Sequence, residues 1–442
     1  MTDSPRKPGR RAFLKGAGAP VAHAAQAAQI PAPAPAPRPG AARVRLAVIG
    51  LGRQGGRLAA AAAGIANVEV VGVSDVYAGR RERAREIAGA SLQVEKDYRR
   101  ILERRDVDAV IIATPDHWHV PMIKEAAAAG TDVYCETPVL HRSDELAALL
   151  KAVPADRIVQ GGGAQISSPL FLAARDLIVQ GRLGRIVEAR AAWDTNTSLG
   201  AWQSPFPPDA SPESIDYAAF LGPAGGAAAA FDLKRFFRWR CYRQFGSGLA
   251  GARLAPMLTA LHWLTGTTAP VKVTAAGTLH RWKDGREVPD TLSATLEYPE
   301  GMSIQVSASQ SGSEPGDIRI SGTDASLVIR ERELVLEAAP QSEPFADVGE
   351  TWSKEHRDWF YMMHGMTPQG QVRGTPAAER TVERYEPPAG SGVVNPLVEF
   401  VDCVRTRRAP RETLKLAADA AAAALQVDEA ARLARAVVRE GA

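Results

Sequence analysis

The stretch Val44-Arg45-Leu46-Ala47-Val48-Ile49-Gly50-Leu51-Gly52-Arg53-Gln54-Gly55 decides the architecture. A short β-rich run ends directly in Gly-x-Gly-x-x-Gly, and an Ala-rich stretch of helical composition follows to about Ala63. Strand, glycines and helix in that order build a dinucleotide site. Gly50 allows the tight turn, Gly52 lets the backbone approach a pyrophosphate, and Gly55 lets the helix pack on the strand. The helix N-terminus at Arg53 and Gln54 supplies partial positive charge. A second strand over 68–73 ends in Ser74-Asp75. A carboxylate at that distance accepts hydrogen bonds from ribose hydroxyls and repels a 2′-phosphate, which favours NAD over NADP. Arg80 and Arg81 lie just beyond and would blunt that preference; the alternative role for Asp75 is capping a turn.

Outward from this unit the alternation continues. A helix near 97–104 leads to a buried strand over 109–113 and the loop Thr114-Pro115-Asp116-His117-Trp118-His119. Another helix reaches Ala129, and a strand over 132–135 ends in Glu136-Thr137-Pro138. A helix around 143–152, a strand over 157–160 and Gly161-Gly162-Gly163 complete the pattern. Strands alternating with helices predict an α/β fold with a parallel sheet and ligands at its carboxyl edge, where the loops after Ala113 and Cys135 both fall. The predicted divisions are a leader and linker over 1–40, a Rossmann domain over 41–163 and a second domain over 164–442. Alternating residues over 291–298, 302–307 and 318–320 have the period of strands.

Bulk properties agree. At 442 residues the chain is too long for one ordinary core, and 45% hydrophobic with 23% charged residues is the composition of a globular protein. A net charge of +3, with arginines scattered, argues against nucleic acid as a partner. Cys135, Cys241 and Cys403 are odd in number and far apart, so no disulfide framework is implied. His117, His119 and Cys135 match no zinc spacing, so no metal is expected. No apolar run is long enough to span a bilayer. Arg10-Arg11-Ala12-Phe13-Leu14-Lys15 is similar to a twin-arginine export signal, with Ala22-His23-Ala24 as a cleavage site and residues 31–40 as a stiff Pro/Ala linker. The expectation is a periplasmic or otherwise exported protein; the alternative is a basic Ala-rich tail on a cytoplasmic one.

The motifs together resemble the glucose–fructose oxidoreductase, inositol dehydrogenase and rhizopine-catabolism family (Gfo/Idh/MocA). The glycine loop, Thr114-Pro115 with His119, and Cys135-Glu136-x-Pro138 carry the resemblance, with Asp216-Tyr217, Phe220-Leu221-Gly222-Pro223, Arg238-Trp239-Arg240, Gly246-Ser247-Gly248 and the run from Glu399 to Arg405. It implies a C-terminal α/β domain on a large, mostly antiparallel sheet used for homo-oligomer contacts. It also implies NAD, held tightly in some exported members, and a sugar or cyclitol as ligand. Thr114, Pro115, His119, Glu136 and Gln165 would approach the cofactor; Asp194 and Asn196 would face the sugar. Arg240 and Tyr242 pair a donor fork with an aromatic surface, as polyol sites do, or pack structurally.

The resemblance breaks at the chemistry. Relatives use a Lys before the Pro of the Glu-Lys-Pro turn, then an Asp and, four residues later, a His as general base. Thr137 stands at the Lys position, Ala252 at the Asp and Pro256 at the His. His262 is six residues past Pro256, about 120° away on a regular helix. It is a replacement base only if the helix begins late; otherwise it faces the core. Two functions follow: a sugar oxidoreductase with an altered proton relay, or a catalytically impaired relative that keeps NAD as structural filling and binds carbohydrate or a paralogous subunit.

Overall fold

The computed structural model describes residues 43–88, 92–225, 230–299, 301–314, 316–338, 351–367, 382–385 and 396–439. The twin-arginine motif and the Pro/Ala linker lie outside the described residues.

The first sheet is parallel and six-stranded: β1 (Val44–Ile49), β2 (Val68–Ser74), β3 (Gln93–Glu95), β4 (Ala109–Ile112), β5 (Asp132–Cys135) and β6 (Val159–Gly161), in the order β3-β2-β1-β4-β5-β6. Strands covered on both faces need continuous apolar runs, and Ala109–Ile112 is buried at every position. The order reverses between β1 and β4, so their carboxyl ends open a crevice there. The helix Ala78–Ala88 was not legible as a helix. It is dense in Arg and Glu and buries only Ala84 and Ala88, so it shows little apolar periodicity.

Among the described residues the second sheet has nine strands, in the order β14-β13-β12-β11-β7-β10-β9-β8-β15. They are β7 (Ile186–Asp194), β8 (Lys272–Thr278), β9 (Thr291–Glu297), β10 (Ser303–Ser309), β11 (Ile318–Gly322), β12 (Ala325–Ile329), β13 (Leu334–Ala338), β14 (Val382–Tyr385) and β15 (Val437–Val438). All pairs are antiparallel except β7 with β10. Helices Ala255–Thr265 and Leu414–Leu433 pack on each other and on this sheet, and the buried alanines of the latter, such as Ala417, Ala420, Ala421 and Ala424, allow close approach. The helix Pro396–Thr406 instead returns to the first domain. Leu397, Phe400 and Val401 join the core beneath β1 and β5, with the Phe400 ring 5.8 Å from that of Tyr134.

Polar contacts fix one domain against the other. The buried Asp116 carboxylate accepts from the Ser247 N–H at 3.0 Å and its hydroxyl at 2.6 Å. The Trp118 indole N–H donates to the Phe220 carbonyl at 3.0 Å. Gly222 has φ +40°, and a Cβ there would lie 1.9 Å from the Trp118 ring, so only glycine fits.

Candidate functional site

Between the domains lies a cleft of about 900 Å³. Its floor is the glycine loop. A Cβ on Gly50 would meet the Ala113 carbonyl at 2.7 Å, and one on Gly55 would meet the Gly50 carbonyl at 1.8 Å, so both glycines are required by packing. Gly52 differs: its Cβ would stand in open space, nearest the Arg80 guanidinium at 4.0 Å. The cradle that a side chain would fill lies at the N-terminus of Arg53–Ala63, which fits a pyrophosphate.

At the end of β2 the buried Asp75 accepts from the Leu51 N–H at 2.7 Å and the Tyr77 N–H at 2.9 Å, and pairs with Arg80 at 3.3 Å. Asp75 thus ties the glycine turn and also lines the cleft. Arg80 spreads over Phe236 and Phe237 of the second domain at 5.6 and 5.8 Å.

The β4 and β5 loops meet through His119. Its Nδ1 lies 2.7 Å from the Pro138 carbonyl and its Nε2 lies 3.0 Å from that of Thr114. Thr114, Pro115, Glu136 and Thr137 line the cleft. Gln54 donates to the Glu136 carboxylate at 3.1 Å, and burial pushes the Glu136 carboxyl above its ordinary range. The second domain meets this turn closely, because a Cβ on Gly251 would lie 2.7 Å from Pro138. Ala252 and Arg253 follow on a wide turn over Ala250–Leu254 and enter the cleft beside Thr137. Such i→i+5 turns are frequent at functional sites. Arg240 lines the same end, stacked on Trp239 at 4.1 Å.

Several expected site residues lie elsewhere. His119 does not line the cleft; both ring nitrogens are engaged with loop carbonyls, so it positions the loops. Gln165 opens a short turn into the helix Pro169–Val179 and is absent from the lining. Asp194 accepts from the Glu314 N–H at 3.2 Å, and Asn196 bonds Ser311 and Arg281, so both are used at the sheet end. Leu199, Trp202 and Ser204 of the same connection face the cleft instead. Tyr242 is buried in an aromatic cluster with Arg235 over its ring at 4.7 Å. Pro256 opens the helix Ala255–Thr265 and does not reach the lining.

His262 is not a relocated base. It is 1% exposed, its Nε2 sits 2.6 Å from the Tyr298 hydroxyl, and burial pulls its imidazole down to about 4. The helix does not begin late: the wide turn over Ala250–Leu254 runs directly into Ala255–Thr265, and His262 turns into the core. Sequence reasoning missed Arg253 and the aromatic wall of Phe236, Phe237 and Trp239. Arg253 adjoins the aligned Ala252, and its isolation from acidic neighbours in sequence is a signal. Among the described residues, no group of three His, Cys, Asp or Glu side chains is placed to hold a metal.

Comparison with known proteins agrees with this geometry. Residues 44–159 match a family described as an oxidoreductase family with an NAD-binding Rossmann fold, and residues 175–436 match its C-terminal alpha/beta domain. Over 144 residues the chain is 33% identical to inositol 2-dehydrogenase of Rhizobium meliloti, covering 32% of this chain and 43% of that protein. Over 242 residues it is 26% identical to inositol 2-dehydrogenase 1 of Saccharopolyspora erythraea, covering 52% and 67%. The chain thus spans less than half the length of the first of these relatives. Levoglucosan dehydrogenase, solved with NADH and levoglucosan, superposes with a TM-score of 0.65 at 18% identity over 90% of this chain and 99% of that one. The aldose–aldose oxidoreductase of Caulobacter crescentus, solved with glycerol, superposes with a TM-score of 0.62 at 19% identity, over 90% and 100%. The two structural likenesses are likenesses of fold.

Proposed function

The chain belongs to the Gfo/Idh/MocA oxidoreductase family, and from that premise we propose that it moves a hydride between NAD(H) and a hydroxyl-bearing carbon of a sugar or cyclitol by an altered proton relay. The observation that carries this reading is the single cleft in which the open face of Gly52 and the Thr137–Ala252 junction meet. When bound, the dinucleotide supplies the hydride acceptor or donor. Gly52 and the helix end receive its pyrophosphate, and Asp75 receives a ribose, favouring NAD over NADP. Trp118 and Trp202 wall the cleft against water. Thr137 holds the reacting hydroxyl by a hydrogen bond without adding charge. Glu136, the cleft carboxyl with no ion pair among the described residues, holds the proton.

A second reading, NAD kept as structural filling with no turnover, is favoured by one observation. His262 is neutral in the core while Thr137, Ala252 and Pro256 cannot act as bases. Stopped-flow reduction of NAD with sugars and inositols separates the two. Under the first reading Glu136→Gln slows hydride transfer by about 10²–10⁴-fold. Under the second the wild type is silent. Thr137→Lys with Ala252→Asp, the two positions that face the cleft, then raises the rate, where either change alone does little. We further propose export through the twin-arginine route with cofactor tightly bound, supported by Arg10-Arg11 and the Pro/Ala linker. Self-association through the open face of the second sheet is also proposed.

A further inference from the structure

The charges lining the cleft do not balance. At its outer end the acidic and basic groups are matched: Asp75 with Arg80 at 3.3 Å, Asp97 with Arg99 at 3.4 Å and Asp216 with Lys96 at 2.8 Å. At the inner end, beside Thr137 and Ala252, they are not. The Arg53, Arg240 and Arg253 side chains make no hydrogen bond or ion pair with any described residue. Arg238 is satisfied only by the neutral Gln203 side chain and the Ser204 carbonyl. Against these stands one carboxyl, Glu136, already accepting from Gln54.

The three arginines are not equivalent. Arg53 opens the helix behind Gly52, where a dinucleotide pyrophosphate takes its charge. Arg240 is attracted by Asp116, which is held by Ser247, and by Glu136. Arg253 has no acidic neighbour among the described residues; burial and the cations Arg240 and Arg53 push its guanidinium down from its ordinary value. Its flat face rests 5.2 Å from Trp193, which leaves the donor edge free. Partly buried cations without anions are costly, and an incoming anion relieves that cost. Relatives by resemblance place a Lys, an Asp and a His at this end; Arg240 belongs to the motif shared with them, and Arg253 here follows the position of the Asp, which is Ala252.

We propose that the substrate of this cleft is an anionic sugar, a carbohydrate bearing a carboxylate or a phosphate ester, with its anion held by Arg253 and Arg240 beside Thr137. A guanidinium fork binds either group with two parallel donors. This rests on the reading that a sugar is the ligand of the NAD(H) cleft.

The test is calorimetry on full-length protein loaded with NADH, at low ionic strength, against D-glucuronate, D-glucose 6-phosphate, D-glucose and myo-inositol. At least one anion should bind about ten- to a hundredfold tighter than D-glucose, with affinity falling as sodium chloride is added. Which of the two binds identifies carboxylate or phosphate. Arg253→Gln should lose that advantage, Arg253→Lys should keep part of it, and both should bind NADH as the wild type does, which also reports that they fold. If neither anion binds more tightly than D-glucose, or Arg253→Gln keeps the preference, the inference is overturned. Failure of the wild type to bind NADH would instead overturn the proposed function, so the two failures are distinct.

Discussion

His262 Nε2 lies 2.6 Å from the Tyr298 hydroxyl, with both side chains inside the core of the second domain. Replacing His262 by Ala removes a buried ring and strands the phenol, which should cost about 2–4 kcal/mol in urea unfolding. Any hydride transfer should persist near the wild-type rate once the protein is folded. A rate that vanishes in a folded His262→Ala protein would restore the histidine as base.

Gly52→Val separates binding from folding. Its side chain enters open space and meets Arg80 only at 4.0 Å, so the thermal midpoint should be unchanged. NADH affinity should fall at least a hundredfold, because the branched side chain occupies the pyrophosphate cradle. Titration of NADH fluorescence measures this, and wild-type affinity in the variant would exclude the cradle.

Stability should pass through a maximum in pH. Burial pulls His117 and His262 down to about 4, while their unfolded values are near 6.5. Each contributes stability above about 6.5 that is lost as pH falls through the folded value, roughly 3 kcal/mol apiece. Glu412 has the opposite sign. Burial, with repulsion from Glu136 and Glu399 and only partly offset by the Gly163 N–H, pushes its carboxyl up to about 8. Its contribution is present below about 4.5 and is lost as pH rises through 8. The sum peaks near pH 6.5. Glu412→Gln should flatten the alkaline limb of denaturant midpoints and leave the acid limb in place. An unchanged alkaline limb would show Glu412 ionised in the fold.

Replacing Arg10 and Arg11 together by Lys should hold a tagged protein in the cytoplasm with its N-terminus uncut. Fractionation and N-terminal mass measurement report the outcome. Wild-type protein that is also cytoplasmic and uncut would reduce the segment to a tail.

The first domain was legible because its constraints are local. Gly50 to Gly55 act on one another across a single turn, and Asp75 reaches back to Leu51 over one βαβ unit. Ala78–Ala88 escaped notice for want of an apolar stripe. In the second domain the site is made by side chains from distant segments, and there the reading failed in a patterned way. Asp194 and Tyr242 have polar tips that suit a sugar, yet Glu314, far along the chain, claims the first, and the second is buried in an aromatic cluster. Arg253 stands in a stretch without acidic residues, but only the fold shows that none of the described segments brings one to it. The motif resemblance sets Thr137, Ala252 and Pro256 against a Lys, an Asp and a His of relatives. The structure adds that the first two positions face one cleft while the third does not.

The helix Pro396–Thr406 fills the core beneath β1 and β5 with Phe400 and Leu397, each 0% exposed. The dinucleotide-binding domain therefore cannot be completed by the nascent chain until residues far downstream have left the ribosome. Before then an apolar trench stays open beside Tyr134, and the domain is a client for chaperones rather than a finished unit. Ribosome-stalled chains ending ahead of Pro396 should be cut readily by protease within residues 44–161, and chains extended past Thr406 should resist. Maturation of the N-terminal half is thus timed by the synthesis of the C-terminal one.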